Sequence, residues 1–221
     1  DSFLKLLTKM NIPVVTAWNA HDILPDDNPY YCGRPGTIGN RGGNFVVQNS
    51  DVLLVLGSRL NIRQISYNWE NFAQNAYKIV VDIDPAELLK PTVDIDFPVH
   101  ADVKDVIVSL LNQEYSDFHH EKWLDWARSI NKRFPICIKE FYKSKTPVNP
   151  YVFMHELFEC LGEGDAVITG NGSACVCSFQ AAKIRSNQRL FTNSGCASMG
   201  YGLPAALGVA EQRKVLDLVR T

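Results

Sequence analysis

The 221-residue sequence contains no apolar run long enough to cross a bilayer, so it offers no candidate for a helical membrane span. It also lacks a surplus of either charge. Twenty-two Lys and Arg stand against 24 Asp and Glu, the net charge is -2 and the pI is near 6.2. No basic face is available for nucleic acid or for an anionic membrane surface, so neither is an expected partner. There is no initiator Met and no signal-peptide pattern; Asp1-Ser2-Phe3 reads as the start of a helix already under way, as if residues preceded it. Six cysteines lie at 32, 137, 160, 175, 177 and 196, with no CxxC metal spacing, and Cys175-Val176-Cys177 is too tight for a zinc knuckle. Free thiols and a cytoplasmic location are the expectation. His119-His120, in a polar stretch, reads as solvated. Asp94 and Asp96 read as acids on a solvated bend. No Ser/His/Asp or Cys/His constellation, internal repeat or low-complexity segment is present, and no residue reads as a strong general base.

What is present is alternation. Phe3, Leu4, Leu6, Leu7 and Met10 have helical spacing, ended by Pro13. Pro13 to Trp18 reads as a buried strand, residues 42–49 as a short helix, and Asp51 to Gly57 as a central parallel strand. Residues 67–74 read as a helix and Lys78 to Ile83 as a strand. Asp84-Pro85-Ala86-Glu87 then supplies a cap, a proline at the first helical position and an acid two residues later. Val99 to Ala101 reads as a strand, and Asp102 caps a helix through Leu111. This is the pattern of a doubly wound sheet. It changes near Glu114, and residues 114–149 read as a helical linker carrying Trp123, Trp126 and Phe134. A second unit begins at Asn149-Pro150. It contains a helix, strand Ala166–Thr169, loop Gly170 to Ala174, a helix over Cys175–Lys183, strand Arg189–Thr192, a glycine-rich stretch, a helix over Pro204–Ala210, and an apolar run from Val215 to Val219. The expected division is 1–113, 114–149 and 150–221.

Ligands in open parallel sheets sit beyond the carboxyl ends of the strands. In the first unit, Gly33 to Gly43 carries Gly36 and Gly39, Gly57 to Arg63 carries Arg59, and Asp82 and Asp84 close a strand. Together these resemble a nucleotide cleft. The same residues are equally readable as turn glycines, acid–arginine pairs and a helix cap. In the second unit, Gly170-Asn171-Gly172-Ser173-Ala174 lies between a strand and a helix, as a diphosphate cradle would. One strand later comes Asn193-Ser194-Gly195-Cys196-Ala197-Ser198-Met199-Gly200-Tyr201-Gly202-Leu203-Pro204. Taken singly, Met199 and Cys196 read as packing residues.

Taken in order, these motifs resemble a known family. Ile12 to Thr16, Tyr31-Cys32-Gly33-Arg34-Pro35-Gly36-Thr37-Ile38-Gly39, Gln48 to Arg59 and Val81 to Glu87 are similar to the central domain of thiamine diphosphate-dependent enzymes of the acetolactate synthase type. Ser194 to Gly208 is similar to the start of their cofactor-binding domain. The resemblance implies an α/β fold of two doubly wound parallel-sheet domains, a DHS-like central domain and the amino-terminal part of a thiamine diphosphate-binding domain. It places Asn171, Gly172, Ser173 and Ala174 at the diphosphate, and Ala197, Ser198 and Met199 at the aminopyrimidine, with Met199 supporting the bent cofactor. It implies decarboxylation of a 2-oxo acid such as pyruvate and ligation to a second 2-oxo acid. A decarboxylase, an oxidase or a non-catalytic nucleotide-binding module is the alternative. Gly36, Gly39, Arg59 and Asp82 are the candidates for FAD or ADP. The family's Gly-Asp-Gly metal motif and its catalytic Glu are not in this sequence, so Mg2+ ligands and catalytic residues are expected outside it. A homodimer or homotetramer is expected, and these residues alone are expected to be inactive.

Overall fold

A computed structural model describes residues 1–115, 120–211 and 215–218, the last four by their backbone alone. His119, residues 212–214 and Val219 lie outside the described residues. Among those described, no helix is long and apolar enough to cross a membrane.

Capping side chains set where most helices begin. Helix α1 is Ser2–Met10 and α2 is Arg41–Gln48, where Asn40 accepts from the Gly43 amide at 2.8 Å. A single turn, α3 (Ile62–Ile65), starts at Asn61, which accepts from the Arg63 amide. Asp84 caps α4 (Pro85–Leu89) through the Ala86 amide at 2.9 Å, and Asp102 caps α5 (Val103–Asn112) through that of Lys104 at 2.7 Å. Each such oxygen satisfies an amide that the helix itself leaves without a partner. Helices α6 (Glu121–Arg133), α7 (Pro150–Cys160), α8 (Gly172–Ala181) and α9 (Gly202–Ala210) follow. Asn149 caps α7 through the Tyr151 amide, with Pro150 at the first helical position.

Among the described residues, two parallel sheets form, each of three strands. In the first, β1 (Val52–Leu56), β2 (Tyr77–Asp82) and β3 (Phe97–His100) lie in the order β1-β2-β3. In the second, β4 (Ala166–Thr169) is central between β5 (Arg189–Thr192) and β6 (Val215–Leu218). The fold is therefore α/β with parallel sheets. The first core gathers Val47, Val55, Leu60, Ile65, Phe72 and Val80; the second gathers Phe158, Val167, Ala182, Ile184 and Leu190. Helix α6 packs on α2 through Cys32, Val46, Leu124 and Ala127, and Asn131 donates to the Cys32 carbonyl at 2.6 Å.

Three expected elements differ. The Asp51–Gly57 strand is an edge strand, because β2 takes the central place between it and β3. Pro13 to Trp18 makes one bridge, Val14 with Tyr31, rather than a strand. Proline 13 has no amide to extend the ladder, and Gly33 leaves the extended region at φ 107° on the other side. The expected helix over 67–74 shrinks to a single 3-10 turn, Trp69–Asn71, flanked by positive φ at Ser66 (71°) and Ala73 (45°). Left-handed residues cannot continue a right-handed helix.

The two halves meet along a polar seam. Arg34, 2% exposed, donates from one guanidinium nitrogen to the carbonyls of Ala182 (2.9 Å) and Phe179 (3.3 Å), and from another to Asp26 Oδ2 (2.8 Å). It thereby serves the carbonyl end of α8, where the helix dipole is negative. Burial opposes its charge, but Asp26 and Tyr31 outweigh it and hold the guanidinium pKa above its ordinary value. Asp26 Oδ2 also accepts from the Ile184 amide at 2.8 Å. Nearby, Asp22 accepts from Arg189 Nε (2.7 Å) and the Leu190 amide (2.9 Å). The Trp18 ring stacks on Phe179, centroids 4.2 Å apart.

His21, 1% exposed, touches the Leu190 carbonyl through Nε2 at 2.5 Å, while Nδ1 has no partner among the described residues. The imidazole is neutral, protonated on Nε2. Burial lowers its pKa from 6.5 to about 4. The unfolded chain takes up this proton below pH 6.5 and the folded chain does not, so His21 costs stability as pH falls through that window. The loss reaches about 3 kcal/mol near pH 4 and then levels. Urea unfolding from pH 7 to 4 measures it; His21→Gln flattens that part of the profile. Arg34→Met leaves the Asp26 carboxylate without its cation and removes the donor to the Phe179 and Ala182 carbonyls, and lowers unfolding free energy by roughly 3–5 kcal/mol in urea melts. Arg34→Lys loses much of the same, because an ammonium cannot reproduce the planar fork.

Candidate functional site

Strands β4 and β5 run parallel with Thr169 opposite Thr192, so the loops that follow them emerge side by side. The first is Gly170-Asn171, leading into α8; the second runs from Asn193 to Tyr201, leading into α9. Asn171 sits at the cap position of α8, but its side chain caps no amide there. Instead its Nδ2 crosses to the second loop and donates to the Ala197 carbonyl at 2.5 Å. Among the described residues, the opening amides of α8, at Gly172, Ser173 and Ala174, are thus left without a side-chain acceptor, which is the arrangement that attracts an anion.

The second loop is backbone-strained and open. Ala197 has φ 52°, a left-handed conformation that costs a residue with a Cβ about 1–3 kcal/mol. Gly172 (68°) and Gly200 (80°) take left-handed φ values at no such cost. Cβ atoms built at Gly170, Gly195 and Gly200 would meet nothing within 4 Å. Ser173, Cys196 and Ser198 are exposed, and Met199 is 93% exposed. The packing reading of Met199 and Cys196 therefore fails: neither enters a core. Leu203 (58%) and Leu207 (65%), one turn apart on α9, form an exposed apolar pair just beyond the loop that carries Met199.

The residues read as a nucleotide cleft satisfy one another. Gly36, at φ 127°, exchanges hydrogen bonds with the Asn44 amide at 2.9 and 3.1 Å, and its carbonyl accepts from the Gly39 amide at 3.0 Å. A Cβ on Gly36 would lie 2.7 Å from the Arg63 carbonyl oxygen. These glycines are required by close backbone packing. Arg59 Nε donates to Glu87 Oε1 at 2.7 Å, and Lys90 holds Glu87 Oε2 at 2.7 Å while also donating to the Arg59 carbonyl. Lys90 and then Arg59 hold the Glu87 carboxyl below its usual range, against a burial effect of opposite sign. Asp82, buried, accepts from the Asp84 amide at 3.0 Å, and Asp84 caps α4. The turn, pair and cap reading describes this region. The sequence offered an acid–arginine pairing here, but not Glu87 as its acid or Lys90 as its third member; the Glu87–Lys90 spacing of three residues was the local signal for the latter.

Comparison with known proteins bears on both regions. The family model for the thiamine pyrophosphate enzyme central domain matches residues 1–110, and that for the C-terminal TPP binding domain matches 170–219. Together they account for more than half of the sequence, in the order the two sheets follow. The chain belongs to the thiamine pyrophosphate enzyme family. It is 33% identical over 218 residues to the acetolactate synthase isozyme 1 large subunit of Escherichia coli, covering 96% of this chain and 37% of that protein. It is 30% identical to a probable acetolactate synthase large subunit of Methanocaldococcus jannaschii (99% and 38%), and 31% identical to the acetolactate synthase large subunit of Porphyra purpurea (92% and 34%). The chain thus spans little more than a third of these relatives' length. The C-terminal match begins at Gly170, the first residue of the open loop. The central match contains Gly36, Gly39, Arg59 and Asp82.

Among the described residues, no group of three or more His, Cys, Asp or Glu side chains is placed to hold a metal ion. The six cysteines are all free, and burial pushes Cys32 up to about 12 and Cys175 up to about 11, so neither is a thiolate near neutrality. Because Gly36 combines left-handed φ with a backbone collision, Gly36→Ala lowers unfolding free energy by about 2 kcal/mol or more, read from denaturant melts.

Proposed function

We propose that this chain forms part of a thiamine diphosphate-dependent enzyme of the acetolactate synthase type, which decarboxylates a 2-oxo acid such as pyruvate and ligates the product to a second 2-oxo acid. The carrying observation is the Asn171–Ala197 hydrogen bond, which ties two open loops at the carboxyl ends of adjacent parallel strands. The donor set fits the cofactor. Amides of Gly172, Ser173 and Ala174 and the Ser173 hydroxyl are available to a diphosphate. The Ala197 carbonyl, with one lone pair engaged by Asn171, keeps a second for an amino group. The exposed Met199 side chain offers an apolar support beside it and excludes water from that edge. When bound, thiamine diphosphate supplies the electron sink for cleaving the bond beside the keto group. The chain's part is positioning: Asn171 fixes the spacing of the two loops, and Met199 sets the shape of the surface between them.

Mg2+ belongs to this reading with ligands elsewhere in the protein. FAD or ADP over β1 and β2 would meet an Arg59 already paired with Glu87. The exposed apolar side chains of Met199 in the loop and of Leu203 and Leu207 on α9 support association into a homodimer or homotetramer, since such surfaces seldom stay in water. Six free thiols support a reducing, cytoplasmic setting.

In the intact protein, pyruvate yields acetolactate only with thiamine diphosphate and Mg2+ present, by a colour assay. Asn171→Ala weakens cofactor binding about tenfold by tryptophan fluorescence titration, the loss of one strong hydrogen bond. Carbon dioxide release without acetolactate would replace ligation with a decarboxylase. Cofactor binding unchanged in Asn171→Ala would remove the assigned role of the loop.

A further inference from the structure

A cleft of about 690 Å³ opens between the two halves beside the carbonyl end of α8. It lies at the opposite end of that helix from the Gly170–Gly172 loop, about 15 Å away for ten residues. None of Gly36, Gly39, Arg59 and Asp82 lines it. Five cations face three carboxylates there. Of the acids, Asp26 is engaged by Arg34, and Glu159 alone faces both Lys183 (2.8 Å) and Arg185 (2.9 Å). Asp27 is the third. Arg128 and Lys132 stand one turn apart on α6, both exposed, and neither forms an ion pair with another described residue. Arg34 lines the cleft, and its buried Nε–H meets no acceptor among the described residues. Phe134 and Ile136 add an apolar wall.

We propose that this cleft binds an organic phosphate, held between Arg128 and Lys132 on one side and Lys183 and Arg185 on the other, with its apolar body against Phe134 and Ile136. An excess of two positive charges matches a phosphate dianion better than a monocarboxylate, and lysines act as point charges for it. The volume lies in the range of small-molecule sites. The two cation pairs belong to different parts of the chain. Arg128 and Lys132 ride on α6, which packs on α2, whereas Lys183 and Arg185 lie in the turn between α8 and β5. A phosphate between them braces the seam that Arg34 closes, and so acts on the placement of α8 from the end away from its glycine loop.

The test is calorimetric titration of the intact protein with phenyl phosphate at low ionic strength. Saturating thiamine diphosphate and Mg2+ occupy the diphosphate loop, and inorganic phosphate and phenol run as separate arms. Phenyl phosphate binds saturably and at least about tenfold more tightly than either arm. Arg128→Gln/Lys132→Gln weakens binding about tenfold or more with an unchanged melting temperature. Lys183→Gln also weakens it, while Lys122→Gln, on α6 but outside the cleft, does not. The proposal is overturned by no saturable binding up to about 10 mM, by inorganic phosphate binding equally well, or by wild-type affinity in the double variant.

Discussion

The buried guanidinium of Arg34 is the interaction on which the rest of the arrangement depends. A charge removed from water is tolerated only when its hydrogen bonds are met and an opposite charge stands beside it. Arg34 meets that condition at both terminal guanidinium nitrogens, its Nε–H excepted, with groups drawn from both halves: Asp26 from the first, and the Phe179 and Ala182 carbonyls from the second. Asp26 then binds the Ile184 amide, so the same carboxylate serves the cation and the backbone that follows α8. Neither half could bury its share of this cluster alone without leaving polar groups unpaired.

That constraint reaches the candidate site through α8. Its carbonyl end is held by Arg34, and the Trp18 ring stacked on Phe179 fixes it sideways. Its amide end opens into the Gly170–Gly172 loop, where Asn171 turns away from capping to reach Ala197. A short helix anchored at one end presents its free amides in a defined place. The strain at Ala197 is held by the same tie, because release of Asn171 would remove the hydrogen bond that stabilises the loop's conformation.

Much of the fold was legible in the sequence where the signal was local. Asp84, Asp102 and Asn149 announced three helix starts, and a cap is an interaction between neighbours in the chain. The apolar runs at Asp51–Gly57, Lys78–Ile83 and Ala166–Thr169 announced strands for the same reason. The failures were non-local. Residues 13–18 have the composition of a strand but found one bridge, because strand pairing depends on what the partner segment does. The edge position of β1 depends on which side of β2 it occupies, and no residue within β1 encodes that. The glycine loops were visible as a pattern, but their joining through Asn171 and Ala197, 26 residues apart, was not.

The sequence by itself determined the kind of chain this is: alternating strands and helices, two glycine-rich loops after strands, and motifs specific enough to give the thiamine pyrophosphate enzyme family. These are properties of short segments, fixed by backbone freedom, capping and periodicity. Only the tertiary structure decided which polar groups remain available. It engaged Arg59 with Glu87 and Lys90, enclosed Gly36 against Arg63, left Met199 in solvent, and gathered Arg128, Lys132, Lys183 and Arg185 around one cleft. Availability is a matter of what each group meets in space, and distant parts of the chain meet only once both sheets and the helices between them are packed.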